Sequence, residues 1–76
     1  MDQALILIVL GSEFKRENID KIKAISGVAS AHFLYGPYDM YLMINSESRG
    51  SLRDIVIKIR EVEGMKSTIT CNIIPQ

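Results

Sequence analysis

Apolar and polar positions along the chain fall into blocks that predict strands and helices. A continuous apolar run at positions 4–10 predicts a strand covered on both faces. Isoleucines at positions 19, 22 and 25 recur at helical spacing and predict a first helix over 15–26, with Gly27 as its C-terminal cap. A second strand is predicted over 28–35.

The second half of the chain repeats this order. Gly36-Pro37-Tyr38-Asp39 predicts a tight turn, because proline presets φ at its second position, and an apolar strand follows over 40–45. Ser51-Leu52-Arg53-Asp54 resembles a capping box and predicts the start of a second helix, which Gly64 ends. The last strand is predicted over 65–74.

A weak internal repeat relates the two halves with a period of 37 residues. It matches Ile22-x-x-Ile25-Ser26-Gly27-Val28 to Ile59-x-x-Val62-Glu63-Gly64-Met65, and Leu5 and Leu7 to Leu42 and Ile44. Two βαβ units with right-handed crossovers, joined by a hairpin, give an α+β, ferredoxin-like βαββαβ fold. We therefore predict one domain over 1–76, in which a four-stranded antiparallel sheet carries both helices on one face.

The repeat also assigns side chains to the two faces of the sheet, provided that no bulge interrupts a strand. On the last strand, apolar residues are expected to face the helices, and Thr68 and Thr70 to point away. The predicted helix-facing residues are Met65, Ile69, Cys71 and Ile73 on that strand, with Val28, His32 and Leu34 on the second. The predicted open face consists of Ala29, Ala31, Phe33, Tyr35, Ile6, Ile8, Leu10, Tyr41 and Met43.

An apolar open face changes how the composition is interpreted. An apolar content of 47% is high for 76 residues, since small domains have little interior. Monomers rarely expose an apolar patch larger than roughly a few hundred Å². We therefore predict at least a homodimer that packs sheet against sheet, as in dimeric α/β barrels, with a monomer that exposes this face as the alternative.

Charge and composition narrow the function classes. The nine basic and nine acidic residues give zero net charge, and the basic residues are scattered, which disfavours direct binding of nucleic acid or of a membrane. The lone Cys71 cannot form an internal disulfide, so a reducing cytoplasm fits. No metal-ligand spacing or cofactor motif is visible in the sequence, and none is predicted.

Two motifs resemble those of a known family, the Lrp/AsnC transcription regulators. Gly36-Pro37-Tyr38-Asp39 is similar to the G-x-Y-D turn of their ligand-binding (RAM) domain. Gly64-Met65-x-x-Thr68-x-Thr70 is similar to its G-V-x-x-T-x-T closing strand, with methionine in place of valine. The resemblance covers essentially the whole chain and implies dimers, often assembled into rings, that bind small amino acids between dimers.

The departure from the family lies at the N-terminus. Full-length members carry a helix-turn-helix, whereas this sequence begins at the first strand. The expectation is a stand-alone effector domain that does not bind DNA itself and acts through a partner, with a full-length Lrp/AsnC-type regulator as the candidate.

Asp39 is the first candidate ligand-binding residue. Its carboxylate can pair with the ammonium of an amino acid, and backbone N–H groups at Gly36 can receive the carboxylate. Alternatively, Asp39 only fixes the turn. Tyr35 and Tyr38 are predicted to line the same cleft or to pack between subunits. Thr68 and Thr70 either bond the ligand or reflect β-propensity.

Other function classes have weaker support in the sequence. His32 is a candidate general base, but its predicted position under the helices favours a structural role. No catalytic set is visible, so we predict a non-enzyme, with a small dimeric α+β barrel enzyme as the alternative. An ACT-like amino-acid-binding domain shares the element order. An RNA-binding sheet would require basic residues on its open face.

Overall fold

A computed structural model describes residues 2–74 and confirms the βαββαβ order. The strands are β1 (Asp2–Leu10), β2 (Val28–Phe33), β3 (Met40–Ser46) and β4 (Met65–Asn72), and the helices are α1 (Ile19–Lys23) and α2 (Arg49–Arg60). A 3₁₀ turn (Arg16–Asn18) precedes α1. No helix in this part of the chain is long and apolar enough to cross a membrane.

The four strands form one antiparallel sheet in the order β2-β3-β1-β4, with β1 and β3 central as predicted. Both helices cover the same face, because buried residues of α1 and α2 join one core with alternate residues of the central strands. The strand members of this core include Ala4, Ile6, Ile8, Met40, Leu42 and Ile44, all of them fully buried. The helices contribute Ile22, Leu52, Ile55 and Ile59.

Both helices differ in length from the prediction. The segment predicted as one helix over 15–26 contains the 3₁₀ turn and only five α-helical residues, since a turn at Ser26 and Gly27 must lead into β2. The prediction that a capping box at Ser51 starts the second helix was wrong. Ser48 is the N-cap of α2, and its side-chain oxygen accepts a hydrogen bond from the Ser51 N–H at 3.2 Å, so the helix starts earlier.

Two β-bulges invert the predicted side-chain directions on the edge strands. Val28 pairs with Ile44 but Ser30 pairs with Met43, so Ala29 is an extra residue in β2. Leu10 pairs with Met65 but Val9 pairs with Ser67, which makes Lys66 the extra residue in β4. The two bulges lie at equivalent positions of the repeat. Each bulge leaves the first residue of its strand facing the helices. The residues after the bulge then lie on the face opposite to the one predicted for them.

The open face has different members from those predicted, on the central strand β1 as well as on the edge strands. Tyr41 and Met43 lie on it as expected, but Ile6, Ile8 and Ala31 are buried under the helices. Leu10 packs against the core, Phe33 pairs with the helix-facing Met40, and Leu34 and Tyr35 lie beyond β2. The apolar residues on the open face are Leu5, Leu7, Val9, Tyr41, Met43, Ile69, Cys71 and Ile73; we call this set the apolar sheet face.

Thr68 and Thr70 change in the other direction, from the predicted open side to the helix side of the sheet. They pair with the buried Ile8 and Ile6 of β1 and so lie on the helix side of the sheet, not on the open side. The same inversion moves His32 to the open side, where it pairs with Tyr41. The prediction failed because it assumed uninterrupted strands, and because β1 is apolar throughout and gives no sign of which residues face inward.

Candidate functional site

Asp39 connects three strands at one corner of the sheet. Its carboxylate Oδ2 accepts a hydrogen bond from the Leu10 N–H at 2.9 Å, where β1 ends. Its own N–H donates to the Ile8 carbonyl, and its carbonyl accepts from the Leu34 N–H, both at 2.9 Å. The Asp39 side chain thus holds the end of β1, and its backbone bonds to Ile8 and Leu34 hold the turn between β2 and β3.

A cleft of about 650 Å³ opens beside Asp39. Its volume lies within the range of roughly 300–1,000 Å³ that is common for small-molecule sites. Its walls combine apolar side chains with one basic and one acidic side chain. The lining residues are Leu10, Phe14, Arg16, Phe33, Leu34, Tyr35 and Asp39.

Aromatic contacts shape one wall of this cleft. The rings of Phe14 and Phe33 meet edge to face, with centroids 6.4 Å apart and planes at 72°. The guanidinium carbon of Arg16 lies 5.2 Å from the Phe33 centroid, within cation–π range. Because the segment between β1 and α1 carries Phe14 and Arg16, it brings a cation to the cleft that Asp39 borders.

The structure groups four of the six predicted site residues around one turn. Tyr35 and Asp39 line the cleft, and Gly36 and Tyr38 belong to the turn between them. Gly36 adopts a φ of +126°, with open space where a side chain would start, so its backbone is accessible. Tyr35 is fully exposed, whereas Tyr38 and Asp39 are half-buried.

Thr68 and Thr70 do not lie in this cleft. They belong to the edge strand β4, which the central strand β1 separates from β3 and the turn. Within one chain, the two threonines and the turn therefore do not form a single site. Only a neighbouring subunit could bring them to a ligand bound at the turn.

Sequence reasoning missed the wall of the cleft opposite the turn. The alternating basic and acidic side chains of 13–23 are typical of a solvated helix face and give no sign of the contact between Arg16 and Phe33. The available signal was Phe14, an apolar residue isolated in the polar segment 11–18. Since Phe14 packs against the core, it holds this segment over the end of the sheet.

Two further candidates from the sequence lie elsewhere. The His32 ring stacks on Tyr41 of the apolar sheet face at a centroid distance of 5.0 Å. Cys71, which the repeat predicted to face the helices, is instead exposed on the apolar sheet face, where it pairs with Leu5. Within residues 2–74, no cluster of three or more histidine, cysteine or acidic side chains is arranged to hold a metal ion.

Neither protein-family models nor curated protein sequences match this chain, but solved structures do. The crystal structure of FFRP-DM1 superposes with a TM-score of 0.87 at 29% sequence identity. The match covers 97% of this chain and all of that one. The likeness therefore extends over nearly all of this chain and all of the matched one.

Longer regulators contain the same fold in about half of their length. AsnC of E. coli matches with a TM-score of 0.82 and 20% identity over 99% of this chain and 52% of its own. A feast or famine regulatory protein of M. tuberculosis, crystallised with L-methionine, matches with a TM-score of 0.83 and 18% identity. That match covers all of this chain and 52% of the regulator.

Proposed function

Since the chain has the fold of the ligand-binding domain of Lrp/AsnC-type regulators over its full length, we propose that it is an amino-acid-responsive oligomerisation module. It forms a single effector domain that acts in the cytoplasm on a partner regulator and does not itself bind DNA. The observation that carries this proposal is the cleft beside Asp39, on a fold shared with a regulator crystallised with L-methionine.

The proposed ligand site is the turn between β2 and β3. A half-buried carboxylate attracts the ammonium of an amino acid, and Asp39 presents one at the edge of the cleft. The accessible backbone at Gly36 is suited to receive the ligand carboxylate, since no side chain blocks it. Tyr35 and Tyr38 wall this site, and Thr68 and Thr70 approach it only from another subunit.

The proposed dimer forms through the apolar sheet face. Ile69 and Ile73 are 44% and 40% exposed in the single chain, although both are large apolar residues. The other members on β1 and β3 are half-buried next to them. Packing two such faces together removes this surface from water without using the ligand site at the sheet corner.

The ligand is proposed to act by shifting the population of assemblies. A ligand shifts such an equilibrium only if it binds one state more tightly than the other. A site at an exposed turn meets this condition when a second dimer closes over it. Binding then favours rings of dimers over free dimers, and the partner regulator responds to the assembled form.

Thermal unfolding with each standard amino acid at millimolar concentration tests the proposal. A ligand at about 100 times its dissociation constant stabilises the folded state by roughly 2.7 kcal/mol, which a melting curve resolves easily. We expect stabilisation by a subset of amino acids. The proposal fails if none of them raises the melting temperature.

Two substitutions of Asp39 separate its proposed binding role from its structural one. Asp39→Asn keeps an oxygen that can accept from the Leu10 N–H but removes the charge, whereas Asp39→Ala removes both. We expect both variants to lose amino-acid binding, and only Asp39→Ala to lose stability as well. If Asp39→Asn binds as the wild type does, Asp39 has only its structural role.

A further inference from the structure

The cleft combines an apolar wall with two opposite charges. Arg16 and Asp39 both line it, together with the rings of Phe14 and Phe33. A free amino acid carries a positive ammonium and a negative carboxylate on the same carbon. The two side-chain charges therefore complement the two ends of that zwitterion.

We infer that this cleft selects amino acids with a large apolar side chain, and that Arg16 binds the ligand carboxylate together with the backbone of the turn. The inference rests on the proposed function and adds to it a specificity and a residue. Asp39 holds the ammonium, the Arg16 guanidinium holds the carboxylate, and the ligand side chain lies against Phe14 and Phe33.

Arg16 is suited to this role by its position. Its guanidinium carbon lies 5.2 Å from the Phe33 centroid, so the aromatic ring orients the planar group before any ligand arrives. A planar guanidinium can donate two parallel hydrogen bonds to a carboxylate, which a flexible ammonium does not do as well. The neighbouring Lys15 does not line the cleft and provides a matched control of the same charge.

The apolar wall accounts for the expected side-chain preference. Leu10, Phe14, Phe33 and Leu34 present little that could hydrogen-bond a polar side chain in the cleft. An amide or carboxylate placed there would give up its contacts with water without compensation. An apolar side chain of similar length has no hydrogen bonds with water to give up, and it gains contact with two aromatic rings.

Calorimetric titration of the whole chain tests the preference with three probes. L-methionine and L-glutamine have side chains of similar length that differ in polarity, and L-methioninamide lacks only the carboxylate charge of L-methionine. We expect L-methionine to bind at least about tenfold more tightly than either of the others. Equal binding of L-glutamine and L-methionine would overturn the apolar preference.

Substitution of Arg16 tests the carboxylate contact. Arg16→Gln is expected to weaken L-methionine binding by about tenfold while leaving L-methioninamide binding unchanged, and Lys15→Gln should change neither. Arg16→Lys, which keeps the charge but loses the planar group, should recover part of the affinity. If Arg16→Gln binds L-methionine as the wild type does, Arg16 is not a ligand residue.

The outcomes distinguish this inference from the proposed function. If only polar amino acids bind, the chain remains an amino-acid sensor and the inference is wrong. If no standard amino acid binds, both are wrong, and the cleft is then available to a side chain of another subunit. Circular dichroism of each variant shows whether a loss of binding reflects a loss of fold. If Arg16→Gln does not fold, the binding of L-methionine and L-methioninamide to Arg16→Lys tests whether Arg16 contacts the ligand carboxylate.

Discussion

Replacing Leu7 with lysine is expected to dissociate the proposed dimer into monomers. Leu7 lies near the middle of the apolar sheet face, because it pairs with Tyr41 on one side and with Ile69 on the other. Two sheets that pack through this face must bring both copies of Leu7 into the interface. In an interface with twofold symmetry, each substitution therefore acts twice.

The size of the effect follows from how much of Leu7 remains to be buried. Complete burial of a leucine side chain is worth roughly 1.5–3 kcal/mol, and Leu7 is already half-buried in the single chain. Completing its burial contributes about 1 kcal/mol per protomer, or about 2 kcal/mol per dimer, which corresponds to roughly thirtyfold in the dissociation constant. A lysine charge in an apolar interface weakens the dimer further.

Light scattering coupled to size exclusion at micromolar concentration measures the result. We expect a dimer or a multiple of it for the wild type and a monomer for Leu7→Lys. Ile57→Lys is the matched control, because Ile57 is 46% exposed on α2, on the opposite side of the molecule from the apolar sheet face. A wild-type monomer, or a Leu7→Lys variant that dimerises as tightly as the wild type, would refute the reasoning.

Three further predictions concern stability and are checked by chemical denaturation. Gly64→Ala should destabilise strongly, since the new Cβ would overlap the backbone of Phe14, whereas Gly36→Ala, with open space around it, should lose only the energy of its strained φ. Ser48→Ala removes the N-cap of α2 and should reduce the free energy of unfolding by about 1 kcal/mol. Ile6→Ala should reduce it by roughly 2–5 kcal/mol because Ile6 is fully buried, and a smaller change would place Ile6 outside the core.

Local sequence patterns predicted the order of elements correctly. Apolar runs and helical spacing identified four strands and two helices. The predicted caps Gly27 and Gly64 were wrong, because the helices end earlier, with Ala24 and Glu61 as their C-caps. Both glycines instead adopt positive φ, at +99° and +94°, in the turns that lead into β2 and β4. The 37-residue repeat then sufficed to recognise two βαβ units and the ferredoxin-like sheet.

Side-chain direction on the edge strands was not predictable in the same way. A bulge at Ala29 or Lys66 leaves no mark in the apolar pattern, because it is defined by hydrogen bonding to a strand far away in the sequence. The bulges exchanged the expected positions of Thr68 and Ile69 between the two faces. The existence of an apolar sheet face was nevertheless correct, since strands that are apolar throughout must present apolar residues on both sides.

The candidate site was predictable only on the side formed by one short segment. The turn from Gly36 to Asp39 is contiguous and could be found as a motif. Arg16 reaches the cleft through a contact with Phe33, which lies on a different element, and no local pattern records such a contact. Likewise, the hydrogen bond from Leu10 to Asp39 joins residues 29 positions apart.

The mass of the wild-type assembly with and without amino acids tests the central claim most directly. Sedimentation velocity at micromolar protein concentration should show a dimer or small oligomer without ligand and a larger assembly with at least one amino acid, and Asp39→Asn should not make this change. A sedimentation coefficient that is the same with every standard amino acid would contradict a module that senses amino acids by assembly.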